Sequence, residues 1–450
     1  MNLLRKFSFP LFCISKRLSL VFSLLIEDNS TKALKRLVPF ISSLVFLTAC
    51  SDFLEPVKST PEPTEYSYNY WLLQRTYLYE DELPQLDENG DSVSELYSKL
   101  SDRFTRYVPP SKSEETSIHI NTSIIPGDVG MEYNVFPETE HPLVISRVYA
   151  ESPAGKAKVP RYGNILNVNG VEITGDAAYA IYDSVLSYSK DISMKVAYMG
   201  DTTLFKMTKE DVYAPTIFVD TLNETVIITI TSFKLNTVNK EEGTLGELKA
   251  YLDSTQNYTQ PRLIDLRNNP GGHVNHCTAM ADLFIESGDI STRFWRTFAP
   301  DGESIHRTET EVAKSGDAGE KGKFVALVNK NSASCSEIFA AAIQEGAGIP
   351  IAGTATYGKG IGQSTWQTPA GALAIITNLE FLTPKGNSYN KVGVTPDYAC
   401  ESATYQCGLD AIQKFYGKKS KKSSGSLLEA KKYLRQKTFT EGALLPGEDE

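Results

Sequence analysis

Residues 324–344 read FVALVNKNSASCSEIFAAAIQ and decide the fold of the largest part of the chain. The first five residues form an uninterrupted apolar run, which is typical of a buried strand. Asn329-Lys330-Asn331 predicts a turn, and the residues from Ser334 to about Gln344 predict a helix directly after it. Strand, sharp turn and helix in this order indicate a core in which helices pack on a β-sheet.

Ser334 at this turn has two interpretations. Ser334 and Glu337 have the spacing of a capping box, in which the serine only closes the helix N-terminus. Alternatively, Ser334 is a nucleophile that projects from the sheet edge, where the positive helix end lies close to an oxyanion on its acyl partner.

The segment GKGIGQ at 358–363 favours the chemical interpretation. One lysine stands between glycines just after an apolar strand predicted at 349–353, and a solvated surface lysine rarely needs that setting. Lys359 and Gln363 are four residues apart, so we expect them on the same face of a strand.

A second glycine-rich turn follows the buried strand predicted at 262–266. It reads RNNPGG over residues 267–272. Because glycines carry no Cβ, the backbone N–H groups of Gly271 and Gly272 can approach a ligand closely.

The chain before this core changes its pattern twice. Apolar residues at helical spacing predict a small helical segment over 66–108, with a capping pattern at Ser92 and Glu95. Short strands follow, and Asn169-Gly170 between two apolar runs predicts a hairpin with a type I′ turn.

The strand-rich region resembles a PDZ domain. It contains the helix start SPA at 152–154 and the segment GNILNVNG at 163–170. PDZ domains bind extended peptides by strand addition and capture the terminal carboxylate with backbone N–H groups. The resemblance implies a carboxylate loop at Val129, Gly130 and Met131; the alternative is a β-module that is purely structural.

Residues 66–400 together resemble the carboxyl-terminal processing (tail-specific) serine proteases. A helical region, a PDZ domain, DLRNNPGG at 265–272, SASCSE at 332–337 and GKGIGQ at 358–363 occur here in the family's order. The family's nucleophile is the second serine of its SAS motif, and its lysine follows 25 residues later, as Lys359 follows Ser334. The resemblance implies a multidomain α+β fold whose α/β core is a crotonase-like spiral.

The resemblance also implies the roles of the site residues. Ser334 attacks the scissile carbonyl, and Lys359 takes its proton, which requires a lysine pKa well below the usual value of about 10.4. Gln363 orients the lysine. No metal or cofactor is needed.

The implied oxyanion hole consists of backbone N–H groups. It combines the N–H of Cys335 with that of Gly271 or Gly272.

Three rival assignments remain open in the sequence. Cys335 could be a thiol nucleophile. His273, His276 and Cys277 could suggest zinc, but no fourth ligand is evident in the sequence, and packing on a helix face or surface exposure is the favoured interpretation. Glu345, 11 residues after Ser334, is interpreted as a supporting residue.

The N-terminus predicts export. The apolar run 37–47 follows three basic residues, is too short to span a bilayer, and suits a signal peptide. LTAC at 47–50 resembles a bacterial lipobox, which implies lipidation of Cys50; an ordinary signal peptide or an uncleaved anchor is the alternative.

Charge and cysteine usage narrow the function class. Beyond the basic first 49 residues the chain has a net charge of −15, which argues against nucleic acid as a partner. Six cysteines are too few for a disulfide framework in 450 residues, and only Cys400 and Cys407 are close enough to suggest a local pair.

The expected organisation has six parts: a signal peptide with lipobox at 1–50, a tether at 51–65, a helical segment at 66–115, a PDZ-like domain at 116–212, a Ser–Lys protease core at 213–410 and a flexible tail at 411–450. The expected function is a lipid-anchored serine endopeptidase of the bacterial cell envelope, facing the periplasm or the outside. Its partners would be the membrane and polypeptides with unstructured C-termini. The alternative from a different class is a non-catalytic peptide- or ligand-binding scaffold on the same core.

Overall fold

A computed structural model describes residues 63–87, 89–314 and 322–417. The signal peptide with Cys50, most of the tether and most of the tail therefore lie outside the described residues. The described residues form the mixed α+β fold that the sequence predicts, with helices packed on four β-sheets. Within them, no helix combines the length and apolar character needed to cross a membrane.

The N-terminal segment is helical, as predicted, and packs on the core. Its elements are α1 (Glu65–Thr76), a 3₁₀ turn (Glu80–Glu82), α2 (Val93–Ser98), β1 (Arg106–Val108) and α3 (Pro110–Asn121). The Ser92 hydroxyl accepts a hydrogen bond from Glu95 N, which confirms the capping pattern of α2. The boundary expected at residue 115 falls inside α3, because Pro110 starts a helix there that the sequence pattern did not reveal.

The next region is rich in β-structure. Its elements are β2 (Ile124–Asp128), β3 (Met131–Val135), β4 (Leu143–Val148), α4 (Pro153–Lys156), β5 (Asn164–Val168), β6 (Val171–Glu172), α5 (Ala178–Tyr188), β7 (Asp191–Tyr198), β8 (Asp201–Thr208) and β9 (Glu210–Tyr213). The order β3-β4-β5-β7-β8 forms the main sheet, with β6 paired to β5. Asn169 and Gly170 have φ values of 51° and 85°, which confirms the hairpin turn. The PDZ interpretation of this region stays a prediction.

The C-terminal core has a largely parallel sheet in the order β10-β11-β12-β15-β16-β19. Its elements are β10 (Ile217–Leu222), β11 (Thr225–Ile230), α6 (Gly243–Ser254), β12 (Arg262–Asp265), α7 (Val274–Asp282), β13 (Asp289–Phe298), β14 (Ser304–Val312), β15 (Phe324–Val328), α8 (Cys335–Gly346), β16 (Ile351–Gly353), β17 (Ile361–Gln367), β18 (Leu373–Leu382), β19 (Tyr398–Ala399) and α9 (Tyr405–Tyr416). The turns after the parallel strands β12 and β15 meet at one edge of the sheet, where ligand sites of parallel sheets form.

A second sheet joins the N-terminal segment to the core. Its order is β1-β18-β13-β14, with β17 also paired to β18. Ala374 and Ile376 of β18 are buried in one cluster with Leu72 and Leu73 of α1. The N-terminal segment is therefore packed against the strand that also carries part of the site described below.

The sequence placed the start of the tail too early. Helix α9 continues to Tyr416, and Ala411 and Ile412 are buried against the parallel sheet. The core therefore extends past residue 410, because α9 is amphipathic and its apolar face covers β12, β15 and β16.

Candidate active site

Ser334 lies at the strained turn between β15 and α8. Its φ of 56° and ψ of −116° fall outside the regions that L-residues normally adopt, a type of strain that concentrates at functional sites. Ser334 is partly exposed, whereas Ala333 and Cys335 on either side are fully buried. The strain therefore directs the serine out of the core.

The turn that carries Ser334 is hydrogen-bonded to the glycine-rich turn. Ser332 Oγ donates to Leu266 O at 2.8 Å, and Ser336 Oγ donates to Asn269 O at 2.8 Å. Ala333 N donates to the same Asn269 carbonyl at 3.0 Å. Three hydrogen bonds thus fix the two turns relative to each other.

Gly271 is the point of closest approach between these turns. A Cβ at this position would lie 2.9 Å from Ser334 Cβ and 2.9 Å from Cys335 N, and the φ of 103° disfavours any side chain. The Gly271 N–H is already donated to Asn269 Oδ1 at 2.8 Å. Of the two glycines proposed for an oxyanion hole, Gly271 therefore has its N–H occupied.

The backbone N–H of Gly272 is oriented differently from that of Gly271. Phe233 N donates to Gly271 O at 3.0 Å, and His273 N donates to Phe233 O at 2.9 Å. In a parallel pairing these two bonds flank Gly272, so its own N–H points to the other side of the strand. Cys335 is the first residue of α8, where the N–H has no acceptor within the helix.

Lys359 and Gln363 are in contact. Lys359 Nζ donates to Gln363 Oε1 at 3.0 Å, and Gln363 Nε2 donates to Thr377 Oγ1 of β18 at 3.0 Å. The expected arrangement along one strand is only partly right, because β17 begins at Ile361 and has a bulge between Gly362 and Gln363. The two side chains meet nonetheless.

The surroundings of Lys359 disfavour its charged form. The side chain is partly buried, and Nζ lies 4.2 Å from the centroid of the Phe104 ring. Burial lowers the pKa of Lys359 to about 8, against an opposing effect of the Asp102 carboxylate. At neutral pH a useful fraction of this lysine is therefore neutral and able to accept a proton.

Glu337 connects the serine turn to the lysine loop. Its Oε2 accepts hydrogen bonds from Ser334 N and Lys359 N, both at 2.8 Å. Its Oε1 accepts from Gly358 N and Thr356 Oγ1, both at 2.6 Å. The side chain is fully buried, and this burial raises its pKa. One carboxylate thus satisfies donors from both loops.

The sequence predicts only a capping role for Glu337. Its carboxylate accepts a hydrogen bond from Ser334 N, as a capping box requires. Nothing in the spacing of the sequence indicated its bonds to the loop at 356–359. The one available signal was that Glu337 is followed directly by the apolar run IFAAAI at 338–343.

The serine turn, the glycine turn and the lysine loop all fall within one family match. Residues 224–400 match the model of peptidase family S41. The resemblance to the processing serine proteases is thereby confirmed at the level of the S41 family and its relatives.

Relatives of known name support the same family. The chain is 27% identical over 320 residues to a "Probable CtpA-like serine protease" of Staphylococcus saprophyticus, covering 70% of this chain and 61% of the relative. The chain therefore spans about three-fifths of that relative's length.

One solved structure shares the fold. A "Putative S41 protease" from Bacteroides fragilis has a TM-score of 0.55 at 13% identity, covering 78% of this chain and 97% of that chain. The photosystem II D1 C-terminal processing protease has a TM-score of 0.47 at 20% identity, covering 79% of this chain and 97% of that chain.

A disulfide that the sequence did not predict lies inside the region that matches peptidase family S41. Cys335 is bonded to Cys277 of α7, so the structure contains no free thiol beside Ser334, and the thiol-nucleophile alternative is wrong. The bond links the first residue of the serine helix to the helix that follows Gly272. Cys400 and Cys407 are also bonded, as their spacing suggested.

The zinc alternative finds no support in the described part of the chain. Cys277 is used by the disulfide, and no group of three possible metal ligands occurs among the described residues. His273 precedes α7 and His276 lies within it, and burial lowers the pKa of both imidazoles. Packing is thus the better account of this cluster.

Two further predicted positions lie elsewhere. Glu345 is near the far end of α8, where Oε2 accepts from Lys385 N at 2.8 Å, so it supports a loop rather than the serine. In the loop at 129–131, Gly130 N donates to Asp128 Oδ1 at 2.6 Å and Val129 O accepts from Ala154 N at 2.8 Å.

A cavity of about 390 Å³ opens beside Lys359. Its lining includes Tyr79, Asp102, Phe104, Tyr357, Lys359 and Asn390. The N-terminal segment and the S41 domain thus both contribute to the space next to the lysine.

Proposed function

We propose that this S41 protein is a serine endopeptidase of the carboxyl-terminal processing type, with Ser334 as nucleophile, Lys359 as general base and Gln363 as the residue that orients the base. The observation that carries the proposal is the state of Lys359. Lys359 has a pKa of about 8 and donates a hydrogen bond to the neutral amide of Gln363. Glu337 accepts hydrogen bonds from the backbone N–H groups of both Lys359 and the strained Ser334. This arrangement suits proton abstraction near neutral pH.

The reaction follows the acyl-enzyme route. Ser334 Oγ bonds to the scissile carbonyl carbon while its proton passes to Lys359 Nζ. The N–H groups of Cys335 and Gly272 donate to the oxyanion. Of the two glycines that the sequence offered for the oxyanion hole, we choose Gly272, because the Gly271 N–H already donates to Asn269 Oδ1.

Collapse of this intermediate breaks the peptide C–N bond. Lys359 returns the proton to the leaving amine. Water then attacks the ester on Ser334, Lys359 takes one proton of that water, and the serine regains its hydrogen as the new carboxyl product leaves.

The proposed substrates are polypeptides with unstructured C-terminal regions. Strand β3 stands at one end of its sheet order, where an extended peptide could pair with it, and the loop at 129–131 adjoins its start. We propose further that a lipid on Cys50 anchors the protein in the bacterial envelope, an interpretation supported by the sequence pattern alone.

The test uses the chain from Ser51 onward with an unfolded protein as substrate. Wild-type protein should degrade it, whereas Ser334→Ala and Lys359→Ala should not, and each variant should fold normally by circular dichroism. Cleavage that persists in Ser334→Ala would disprove the nucleophile assignment. A wild type without activity on any unfolded substrate would favour the non-catalytic scaffold.

A further inference from the structure

Phe104 lies far outside the S41 match, yet its ring covers the lysine of the site. The ring belongs to the N-terminal segment, between α2 and β1. Its centroid is 4.2 Å from Lys359 Nζ. Both residues line the cavity beside the lysine, so the ring forms part of the boundary between Nζ and solvent.

The loop that carries Phe104 is held rigidly. Phe104 N donates to Asp102 Oδ1 at 3.0 Å, and Thr105 Oγ1 donates to Asp102 Oδ2 at 2.5 Å. The Thr105 hydroxyl in turn accepts from Thr377 N at 2.9 Å. Of these contacts, the Thr377–Thr105 bond is buried, and Thr105 is only 5% exposed, so the loop is fixed to the body of the protein.

Thr377 connects this loop to the lysine. Its N–H donates to the Thr105 hydroxyl, and its own hydroxyl accepts from Gln363 Nε2. The Oε1 atom of the same Gln363 amide accepts from Lys359 Nζ. One residue of β18 therefore fixes both the Phe104 loop and the amide that orients the lysine. Their relative positions are set by the same strand.

We propose that Phe104 is a positioning residue of the Ser–Lys site, which reaches in from the N-terminal segment and shields the Lys359 amine from water. The inference rests on the proposed function for its purpose, although the shielding itself does not depend on peptidase activity.

The ring has two opposing effects on the lysine. By excluding water it disfavours the ammonium, and by its π face it attracts the ammonium. The charged groups that face Lys359 are Asp102, Arg103, Arg106 and Glu337. A substitution at Phe104 changes none of these charges, although the Arg103 guanidinium also lies over the ring, 5.1 Å from its centroid, and loses that contact when the ring is removed. Substitutions of different shape can therefore separate the two effects.

Phe104→Ala removes the cover and should admit water. We expect the pH at which half of Lys359 is neutral to rise by about one unit, which is a roughly tenfold smaller neutral fraction at pH 7. Phe104→Leu keeps an apolar cover without a π face, so its half-point should stay at the wild-type value or fall. Phe104→Tyr keeps both features and should resemble wild type.

The measurement is the reaction of Lys359 with trace acetic anhydride as a function of pH, quantified on the peptide by mass spectrometry. Phe415→Ala is the matched control, because Lys414 Nζ lies 5.0 Å from the exposed Phe415 ring, at a distant surface site. This control should leave the Lys359 half-point unchanged. All variants are first checked for wild-type circular dichroism and melting.

An upward shift in Phe104→Ala, absent in Phe104→Leu and Phe104→Tyr, supports the proposal. It is overturned if the Ala variant keeps the wild-type half-point, or if Ala and Leu shift upward equally. Because acetylation needs no catalysis, the same experiment in a Ser334→Ala background gives this answer even if the protein cleaves nothing. Conversely, if the protein is an active protease but the pH at which half of Lys359 is neutral does not change in Phe104→Ala, only this inference is disproved.

Discussion

Glu337→Gln is the most informative single change in this protein, since the Glu337 carboxylate binds both loops of the proposed site. Its two oxygens accept four donors: Ser334 N, Lys359 N, Gly358 N and Thr356 Oγ1. Glutamine offers one acceptor oxygen and one NH₂ group in the same space. In either orientation the NH₂ meets two of these donors.

The less harmful orientation directs the NH₂ toward Gly358 N and the Thr356 hydroxyl. That hydroxyl could turn to accept, although it already accepts from Val394 N at 2.6 Å. At least one buried N–H loses its acceptor, which costs about 1–3 kcal/mol of unfolding free energy. The neutral amide avoids the cost of burying a charged carboxylate, and this offsets part of the loss. We expect a net loss of roughly 2 kcal/mol of unfolding free energy.

The effect on catalysis should be larger than the effect on stability. If the Ser334 turn or the Lys359 loop moves by about 1 Å, the rate falls by on the order of 10²-fold. Urea unfolding and the kcat for an unfolded substrate measure the two effects separately. We expect kcat to fall far more than KM changes.

Glu345→Gln is the matched control for this change. It alters a carboxylate of the same helix that also accepts a backbone N–H, at 2.8 Å, but near the surface. Its stability and kcat should stay close to wild type. If Glu337→Gln behaves like Glu345→Gln in both assays, the reasoning about the shared carboxylate is refuted.

Three more changes have defined outcomes. Lys359→Met should raise the free energy of unfolding by up to about 3 kcal/mol below pH 8, where the folded protein carries a disfavoured ammonium. The gain should fade between pH 8 and 10.5, because the lysine loses its proton first in the folded and then in the unfolded state. Urea melts at pH 6 and pH 11 check this, and an equal gain at both pH values would contradict the lowered pKa. Gly271→Ala should abolish activity and destabilise the protein, whereas Gly288→Ala, with a similar φ of 106° but open space around it, should be far milder; thermal melts and proteolysis assays compare the pair. Cys277→Ala should reduce stability by about 4 kcal/mol, more than the roughly 2 kcal/mol for Cys407→Ala, because its bond closes a loop of 58 rather than 7 residues; equal losses in denaturant melts would contradict this ranking.

Local patterns in the sequence were enough to predict the elements that carry the site. The strand 324–328 and the helix after it occur as predicted, because an apolar run and a turn segment act over a few residues. The Lys359–Gln363 contact was also predicted correctly, although the bulge between Gly362 and Gln363 was not.

Contacts between distant segments could not be read in this way. Phe104 meets Lys359, Cys277 meets Cys335, and Glu337 meets the lysine loop only because the strands of two sheets bring these segments together. No spacing or composition rule in a single sequence encodes such pairs. The early start assigned to the tail has a different cause, since the apolar residues Leu409, Ile412 and Tyr416 recur at helical spacing and already indicate a helix past residue 410.

The central claim is that Ser334 is activated by the neutral form of Lys359, which the lowered pKa of about 8 makes partly populated near neutral pH. The most direct test is the rate of inactivation of the chain from Ser51 onward by a fluorophosphonate, measured from pH 6 to 10 and followed by peptide mapping of the adduct. The account predicts a single adduct on Ser334, with a rate that rises with pH and has its midpoint near 8, the pKa of Lys359. An adduct on another residue, or a rate independent of pH over this range, would contradict it.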